Sequence, residues 1–302
     1  MFAGSPAVAL PSLRVVQEWA AHLRVVSQPD RPVGRRADVT PTAVSTWALD
    51  NGLDLVRPTS ATELRHAVAD FQPDLGITVA YGRILSPEVL ALPRHGWWNV
   101  HFSLLPAWRG AAPVQHALWA GDESTGVTVF QLDEGVDTGP ILIQRSYPIP
   151  ASHTAGQVLT DLAELGAEAL TEALERWDGG SLRPSPQHGE ASHAPKMTRQ
   201  DARLVWGEDT DGVVRRFRAV TPEPGAWSEG PGGQPVKILH LEPHPGPSSV
   251  AGRPGSLVLE NGRVLCGTGD GVVAIGEVVP AGKRAMSAVD WWRGLPPGVT
   301  LG

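Results

Sequence analysis

Short apolar runs alternate with amphipathic stretches through the first 150 residues, and this pattern constrains the fold more than any other feature of the chain. Such alternation is typical of βαβ units, in which helices connect parallel strands and cover the sheet. The predicted strands span residues 23–27, 53–56, 75–80, 98–101 and 127–132. We therefore expect an α/β domain with a mostly parallel sheet.

Local signals place helices between these strands. Ser60 and Glu63 have the spacing of a capping box for a helix that continues to residue 69, and Ser86 with Pro87 resembles a cap followed by a first helical turn. Apolar residues at helical spacing from 154 to 177 predict a long helix that closes the domain. The Asp-Gly-Gly at 178–180 is expected to end it.

The pattern changes after this helix. Residues 182–206 are rich in Pro, Ser, His and Gly in their first half, and we assign them to a linker between a first domain at 1–181 and a second at 207–302. Short β-like runs separated by Gly and Pro follow, at 236–241, 255–259, 263–266 and 272–278. They predict a small β-rich domain, either a barrel or a sandwich.

Composition excludes several classes of protein. No apolar run reaches the roughly 18 residues of a membrane span, and no signal peptide is evident, so we expect a cytoplasmic protein. Cys266 is the single cysteine, which excludes an internal disulfide and a multi-thiolate zinc site, and its apolar surroundings predict a packed strand residue. The net charge of -7 argues against broad nonspecific nucleic-acid binding but allows a local basic surface.

Three polar residues could carry chemistry. Asn99 and His101 are two apart, so on a strand both face the same side, and at the end of a parallel strand they would project into the crevice where α/β sheets bind ligands. With Asp137 they supply an amide, an imidazole and a carboxylate, a set suited to moving a proton while holding an oxyanion, as acyl transfer requires. Taken singly, they are more typical of a capping Asn, a surface His and a turn Asp than of catalytic residues.

Six segments occur in order over nearly the whole chain: MFAGSP at the start, SQPDRPVGR at 27–35, VAYGRILS at 79–86, NVHFSLLPAWRGAAPVQ at 99–115, LDEGVDTGPIL at 132–142 and AGKRAMSA at 281–288. Together they closely resemble the methionyl-tRNA formyltransferase family. Such an ordered series is far more specific than any one of its motifs.

The resemblance implies a Rossmann-like formyltransferase domain that uses 10-formyltetrahydrofolate, followed by an OB-like domain that helps to bind initiator methionyl-tRNA. By motif, Asn99, His101 and Asp137 become the catalytic set. Asp137 is expected to accept the proton of the attacking amine, directly or through water, while His101 and Asn99 stabilise the oxyanion. The expected folate-binding segment, which as a bare sequence could also be a hydrophobic turn, comprises Ser103, Leu104, Leu105 and Pro106.

The family resemblance also implies contacts with tRNA, without a metal or a membrane, and we expect a monomer. The expected tRNA contacts are Arg35, Arg36, Arg215, Arg216 and Arg218. Residues 206–302 contain nine Lys or Arg against ten Asp or Glu, so the second domain is not basic overall, and the last three arginines could instead form a solvated helix face. The loop at 35–40 lacks the lysines usual in the family, and the start at MFAG predicts a short first strand.

The sequence is also compatible with other functions. A folate-dependent formyltransferase acting on an amino sugar nucleotide or on glycinamide ribonucleotide would share the Asn, His and Asp set. A catalytically silent folate- or RNA-binding protein would have no need to retain all three. A Rossmann dinucleotide enzyme is disfavoured because no GxGxxG follows the first strand.

Overall fold

The computed structural model describes residues 1–33 and 38–302. Its chain divides into two compact units. The first comprises Met1–Pro113, Ser124–Ile149 and Leu159–Pro195. The second comprises Val114–Glu123, Pro150–Val158 and Lys196–Gly302.

The first unit is built on a seven-stranded sheet and a separate two-stranded antiparallel ribbon, β3 with β4. Its strands are β1 Phe2–Gly4, β2 Arg24–Val26, β3 Arg31–Val33, β4 Asp38–Thr40, β5 Asp54–Val56, β6 Gly76–Val79, β7 Trp97–His101, β8 Ser124–Gln131 and β9 Ile141–Pro148. The sheet order is β5-β2-β1-β6-β7-β8-β9. The first five of these strands are parallel, and β8 and β9 continue the sheet in antiparallel fashion.

The strand order makes this sheet Rossmann-like, as expected. The chain moves outward from β1 to β2 and β5, then returns to place β6 on the other side of β1, so the order reverses between β1 and β6. Ligands of open α/β sheets bind beyond the carboxyl ends of the strands at such a point. All five predicted strands are present, with ends that differ by up to three residues. β1 is short but fully buried and pairs with a neighbour on each side.

The described residues up to 178 form six α-helices. They are α1 Leu10–Trp19, α2 Ala43–Asp50, α3 Ala61–Phe71, α4 Pro87–Leu90, α5 Pro113–Ala120 and α6 Ala155–Asp178. Ser60 caps α3 by accepting the Glu63 N–H at 3.1 Å, as predicted. The Glu63 carboxylate, however, accepts its return bond from the Thr59 N–H at 2.7 Å, one residue before the expected partner. The predicted long helix is α6.

The second unit contains a six-stranded antiparallel sheet, which confirms the prediction of a β-rich domain. Its elements beyond residue 195 are α7 Thr210–Val220, β10 Trp227–Glu229, β11 Pro235–Pro243, β12 Leu257–Glu260, β13 Arg263–Gly267, β14 Val272–Pro280, β15 Met286–Ser287 and α8 Ala288–Arg293. The strands follow the order β10-β11-β14-β13-β12, and β15 adds to β14. Cys266 is buried in β13, and burial raises the pKa of its thiol well above the ordinary value. In the described parts of the chain, no helix has both the length and the apolar character needed to cross a membrane.

Candidate active site

The fold places Asn99 and His101 on β7, the last parallel strand of the sheet. His101 is the final residue of the strand and is buried, whereas Asn99 is partly exposed. Because side chains alternate along a strand, both project from the same face, as the spacing predicts. The strand ends at the carboxyl edge of the parallel sheet, where α/β proteins bind their ligands.

The amide of Asn99 is oriented by a neighbouring strand. Thr78 on β6 donates its hydroxyl hydrogen to Asn99 Oδ1 at 2.7 Å, a separation typical of an O–H···O bond. Occupation of the oxygen directs the other end of the amide away from Thr78. In the described residues Asn99 Nδ2 has no hydrogen-bond acceptor, so its two N–H groups remain available to a substrate.

His101 is held by the segment that follows the strand. Its Nε2 lies 3.0 Å from the carbonyl oxygen of Trp108, which can only accept, so the proton of a neutral ring resides on Nε2. Nδ1 then carries a lone pair and lies 3.7 Å from Asp137 Oδ2. Burial lowers the pKa of His101 below its ordinary value, while the Asp137 charge and the Trp108 carbonyl act in the opposite direction. The ring is therefore neutral near pH 7.

Asp137 lies in the loop between β8 and β9 in a left-handed conformation, with φ of +53°. Aspartate adopts this region more readily than most residues. Within the loop, Asp133 Oδ1 accepts the hydroxyl hydrogen of Thr138 at 2.6 Å. Asp137 Oδ2 accepts the N–H of Gly110 at 2.7 Å, which fixes the carboxylate beside the His101 ring.

Only glycine suits position 110. Gly110 has φ of +125°, and a Cβ there would lie 2.6 Å from the carbonyl oxygen of Ala194. A side chain would thus combine backbone strain with a clash against main-chain atoms. The close approach allows the Gly110 N–H to reach Asp137.

The expected folate segment begins two residues after His101. Ser103 O accepts the Thr128 hydroxyl hydrogen at 2.6 Å, and Leu105 N donates to Thr128 Oγ1 at 3.2 Å. Leu105 O accepts from Gln144 Nε2 at 3.0 Å. These bonds fasten the segment to β8 and β9, while Leu104 and Pro106 remain partly exposed.

Three of the segments that carry the family resemblance meet beyond β1, β2 and β6. The Ser5 hydroxyl donates to the Tyr81 carbonyl and accepts the Gln28 N–H, both at 3.3 Å. The Gln28 side chain donates to the same carbonyl at 3.1 Å and accepts from Arg83 Nε at 3.1 Å. The reversal point of the sheet is therefore lined by a connected polar network.

The expected tRNA contacts have different surroundings. Arg35 and Arg36 lie outside the described residues. On α7, Arg216 forms an ion pair with Glu208 at 2.6 Å, and Arg218 donates to main-chain oxygens of Pro150 and His153 at 3.0 and 2.8 Å. For Arg215, on the same helix, no ion pair exists with any acidic residue that the structure describes.

Several contributors to the site were not found from the sequence. Thr78, the Trp108 carbonyl and the Gly110 N–H act through contacts made across the fold, and Gln187 bonds to the Asp137 loop from the segment assigned to a linker. No motif assigns them a role in the site, although Trp108 and Gly110 lie within a segment of the family resemblance. No cluster of three or more potential metal ligands occurs among residues 1–33 and 38–302.

Comparison with known protein families identifies the class of protein to which this chain belongs. Residues 10–174 match the family model of formyl transferase, and residues 196–296 match the model of the formyl transferase C-terminal domain. Together with the Rossmann-like sheet and its polar edge, these matches define a two-domain formyl transferase.

The relatives define the family more narrowly. Methionyl-tRNA formyltransferase of Paenarthrobacter aurescens (strain TC1) is 44% identical over 297 residues, which cover 98% of this chain and 96% of the relative. Methionyl-tRNA formyltransferase of Corynebacterium aurimucosum is 38% identical over 313 residues, covering 98% and 94%. The chain belongs to the methionyl-tRNA formyltransferase family.

Solved structures share the fold. HypX from Aquifex aeolicus in complex with tetrahydrofolic acid has a TM-score of 0.63 at 25% identity over 80% of this chain, which spans only 43% of HypX. An N-formyltransferase from Helicobacter canadensis, solved with folinic acid and dTDP-3-aminofucose, has a TM-score of 0.68 over 91% of this chain and 97% of its own. At 17% identity the second similarity concerns the fold alone.

Proposed function

We propose that this protein transfers the formyl group of 10-formyltetrahydrofolate to the α-amino group of initiator methionyl-tRNA, as a monomer in the cytoplasm. The observation that supports this most directly is the convergence of Asn99, His101 and Asp137 at the carboxyl edge of the sheet. The acceptor is inferred from the names of the full-length relatives, and the donor from the tetrahydrofolate complex of a structural neighbour.

The attacking amine must first lose a proton. A free α-amino group has a pKa of about 7.7 to 8.0, so much of it is an ammonium ion near neutral pH. Neutral His101 presents the Nδ1 lone pair toward the Asp137 carboxylate, and the two acceptors lie 3.7 Å apart. An ammonium group that donates hydrogens to both would satisfy them together. We propose that Asp137 accepts the proton, directly or through water, with His101 sharing it.

The oxyanion of the tetrahedral intermediate then needs donors. Asn99 Nδ2 offers two N–H groups, and the bond from Thr78 keeps the amide in this orientation. His101 can donate from Nδ1 only when its ring is protonated, because Nε2–H is directed to Trp108. We therefore propose that the proton accepted by Asp137 passes on to His101 Nδ1, so that the imidazolium can donate to the oxyanion while the Asp137 carboxylate, ionised again, stabilises it.

The remaining contacts are assigned to the two substrates. Ser103, Leu104, Leu105 and Pro106 form the proposed folate segment, with Leu104 and Pro106 as its accessible residues. For tRNA we propose Arg35, Arg36 and Arg215, while Arg216 and Arg218 act mainly by holding α7 through their bonds within the second unit.

One assay tests the proposal. Purified protein is incubated with 10-formyltetrahydrofolate and charged initiator tRNA, with an amino sugar nucleotide and glycinamide ribonucleotide as parallel acceptors. We expect formylation of methionyl-tRNA alone. Transfer to another acceptor only, or to none, would overturn the assignment.

A further inference from the structure

Residues 185–194, within the predicted linker, lie along both loops of the active site. Ser185 forms a two-way main-chain pair with Ile141, at 2.7 and 2.9 Å, just beyond the Asp137 loop. The Ser192 hydroxyl accepts the Trp108 N–H at 2.9 Å, and Ala194 N donates to the Arg109 carbonyl at 2.7 Å. The segment is therefore part of the catalytic unit.

Gln187 connects the two loops through its side chain. Its Nε2 donates to the carbonyl oxygens of Asp137 and Gly139, both at 2.8 Å. Its Oε1 accepts from Arg109 Nη2 at 2.7 Å and from Nε at 3.2 Å. The amide thus uses both donor hydrogens and both acceptor positions.

The two loops bonded by Gln187 are those that fix the catalytic pair. Arg109 lies between Trp108, whose carbonyl holds His101 Nε2, and Gly110, whose N–H holds the Asp137 carboxylate. The main chain at Asp137 is in the sparsely populated left-handed region and needs support from its surroundings. Gln187 bonds to the carbonyl of that residue.

We infer that Gln187 is a positioning residue that holds the Asp137 loop against the Trp108–Gly110 segment and so sets the separation of His101 and Asp137. An amide is required because the site needs donors toward two carbonyls and an acceptor toward a guanidinium. Glutamate keeps the acceptor and loses both donors, methionine loses all four bonds, and asparagine is shorter by one methylene. The inference rests on the proposed function only for the reaction used in its kinetic test.

The test compares Gln187→Glu and Gln187→Met with wild type. Displacement of a catalytic group by about 1 Å can cost about 100-fold in rate, so we expect kcat to fall about 10- to 100-fold in both, with KM for methionyl-tRNA changed less than about threefold. The matched control is Gln17→Glu. Among the described residues the Gln17 side chain bonds only through Oε1, which accepts from Trp47 Nε1 at 3.3 Å, and glutamate keeps that acceptor. This control should retain wild-type kcat.

A second readout separates positioning from general stability. In the described structure Asp137 is the charged group that acts on the His101 ring, and its charge raises the pKa of that ring. If the Asp137 loop shifts in Gln187→Met, the His101 pKa, followed by NMR titration of the folded protein, should be lower than in wild type. The far-UV circular dichroism spectrum of Gln187→Met should match that of wild type.

The outcomes are distinct. A kcat within threefold of wild type in both variants, or an unchanged His101 titration in Gln187→Met, would overturn the inference. If wild-type protein formylates none of the acceptors, the proposed function fails, yet the His101 titration still decides the role of Gln187. If wild type is active and only the titration is unchanged, the proposed function stands without the positioning role.

Discussion

Two polar sets look comparable in the sequence and differ in the structure: the catalytic residues of the first unit and the arginines of α7 in the second. Asn99 Nδ2 and His101 Nδ1 point to no protein donor or acceptor within normal bonding distance among the described residues, although both side chains are fixed by bonds at their other polar atoms. The guanidinium groups of Arg216 and Arg218 are instead bonded to their own unit.

The contrast shows how a side chain that acts on a substrate can be distinguished from one that stabilises the fold. A group meant for a substrate is held firmly at one atom and left open at another, since orientation must be established before the ligand arrives. A structural group has its hydrogen-bonding capacity used within the fold. Arg216 meets this second description: it is paired with Glu208, and its guanidinium carbon lies 4.5 Å from the centroid of the Trp119 ring.

The largest expected effect concerns Asp137. Asp137→Asn removes the proposed proton acceptor. The rate constant of formyl transfer, measured under single-turnover conditions with saturating substrates, should therefore fall by about 100- to 10,000-fold. The substitution also removes the charge that raises the His101 pKa. Because burial already lowers this pKa from its ordinary value, the His101 titration should move to still lower pH. A shift to higher pH would contradict the electrostatic account of the pair.

A stability effect, with little effect on chemistry, is expected for Arg216. Arg216→Ala removes a cation–π contact and leaves Glu208 without its partner, so the free energy of unfolding should fall by about 2 kcal/mol. Chemical denaturation provides the measurement. Arg215→Ala is the matched control and should change stability by less than about 0.5 kcal/mol. Equal stability of the two variants would remove the distinction between them.

A smaller catalytic effect is expected for Thr78. Thr78→Val removes the bond that orients Asn99, so kcat should fall about 10-fold while KM for the folate changes little. The control is Thr125→Val, because the buried Thr125 hydroxyl has no hydrogen-bond partner in the described structure. Loss of activity in both variants would point to strand packing instead of amide orientation.

The smallest effect is assigned to tRNA binding. Arg215→Ala should weaken affinity for methionyl-tRNA a few-fold and lower the slope of log affinity against log salt by about 1, as loss of one phosphate contact requires. A binding titration at several salt concentrations measures both. Folded Arg216→Ala should keep the wild-type slope. The reverse pattern would show that the contact comes from Arg216.

The sequence predicted the elements whose side chains have a clear burial pattern. The inner parallel strands β2, β6 and β7 are largely buried and mostly apolar, and the Ser60 cap is a local interaction, so both could be found from neighbouring residues. Strand β9 was not predicted because, as an edge strand, it is largely polar after residue 143 and ends in Pro148. Its pairing with β8 depends on the fold.

For the active site, the sequence identified the types of catalytic residue but not the groups that form hydrogen bonds with them. The spacing of Asn99 and His101 gave their common face, and the family resemblance added Asp137. The contacts of Thr78 and Gln187 connect residues between about 20 and 80 positions apart and follow no period that a pattern could reveal. Those contacts orient the catalytic groups, so they became visible only in three dimensions.

The role of Asn99 is tested most directly by the single-turnover rate of formyl transfer in Asn99→Ala, compared with Asn51→Ala. Among the described residues, the exposed Asn51 side chain donates to the Trp47 carbonyl and makes no other hydrogen bond. Loss of an oxyanion donor costs about 2.7 to 4 kcal/mol. For Asn99→Ala we expect a rate about 100- to 1,000-fold below wild type, with unchanged tRNA affinity and stability, and for Asn51→Ala a wild-type rate. A near-normal rate in Asn99→Ala would contradict the claim that its open N–H groups stabilise the transition state.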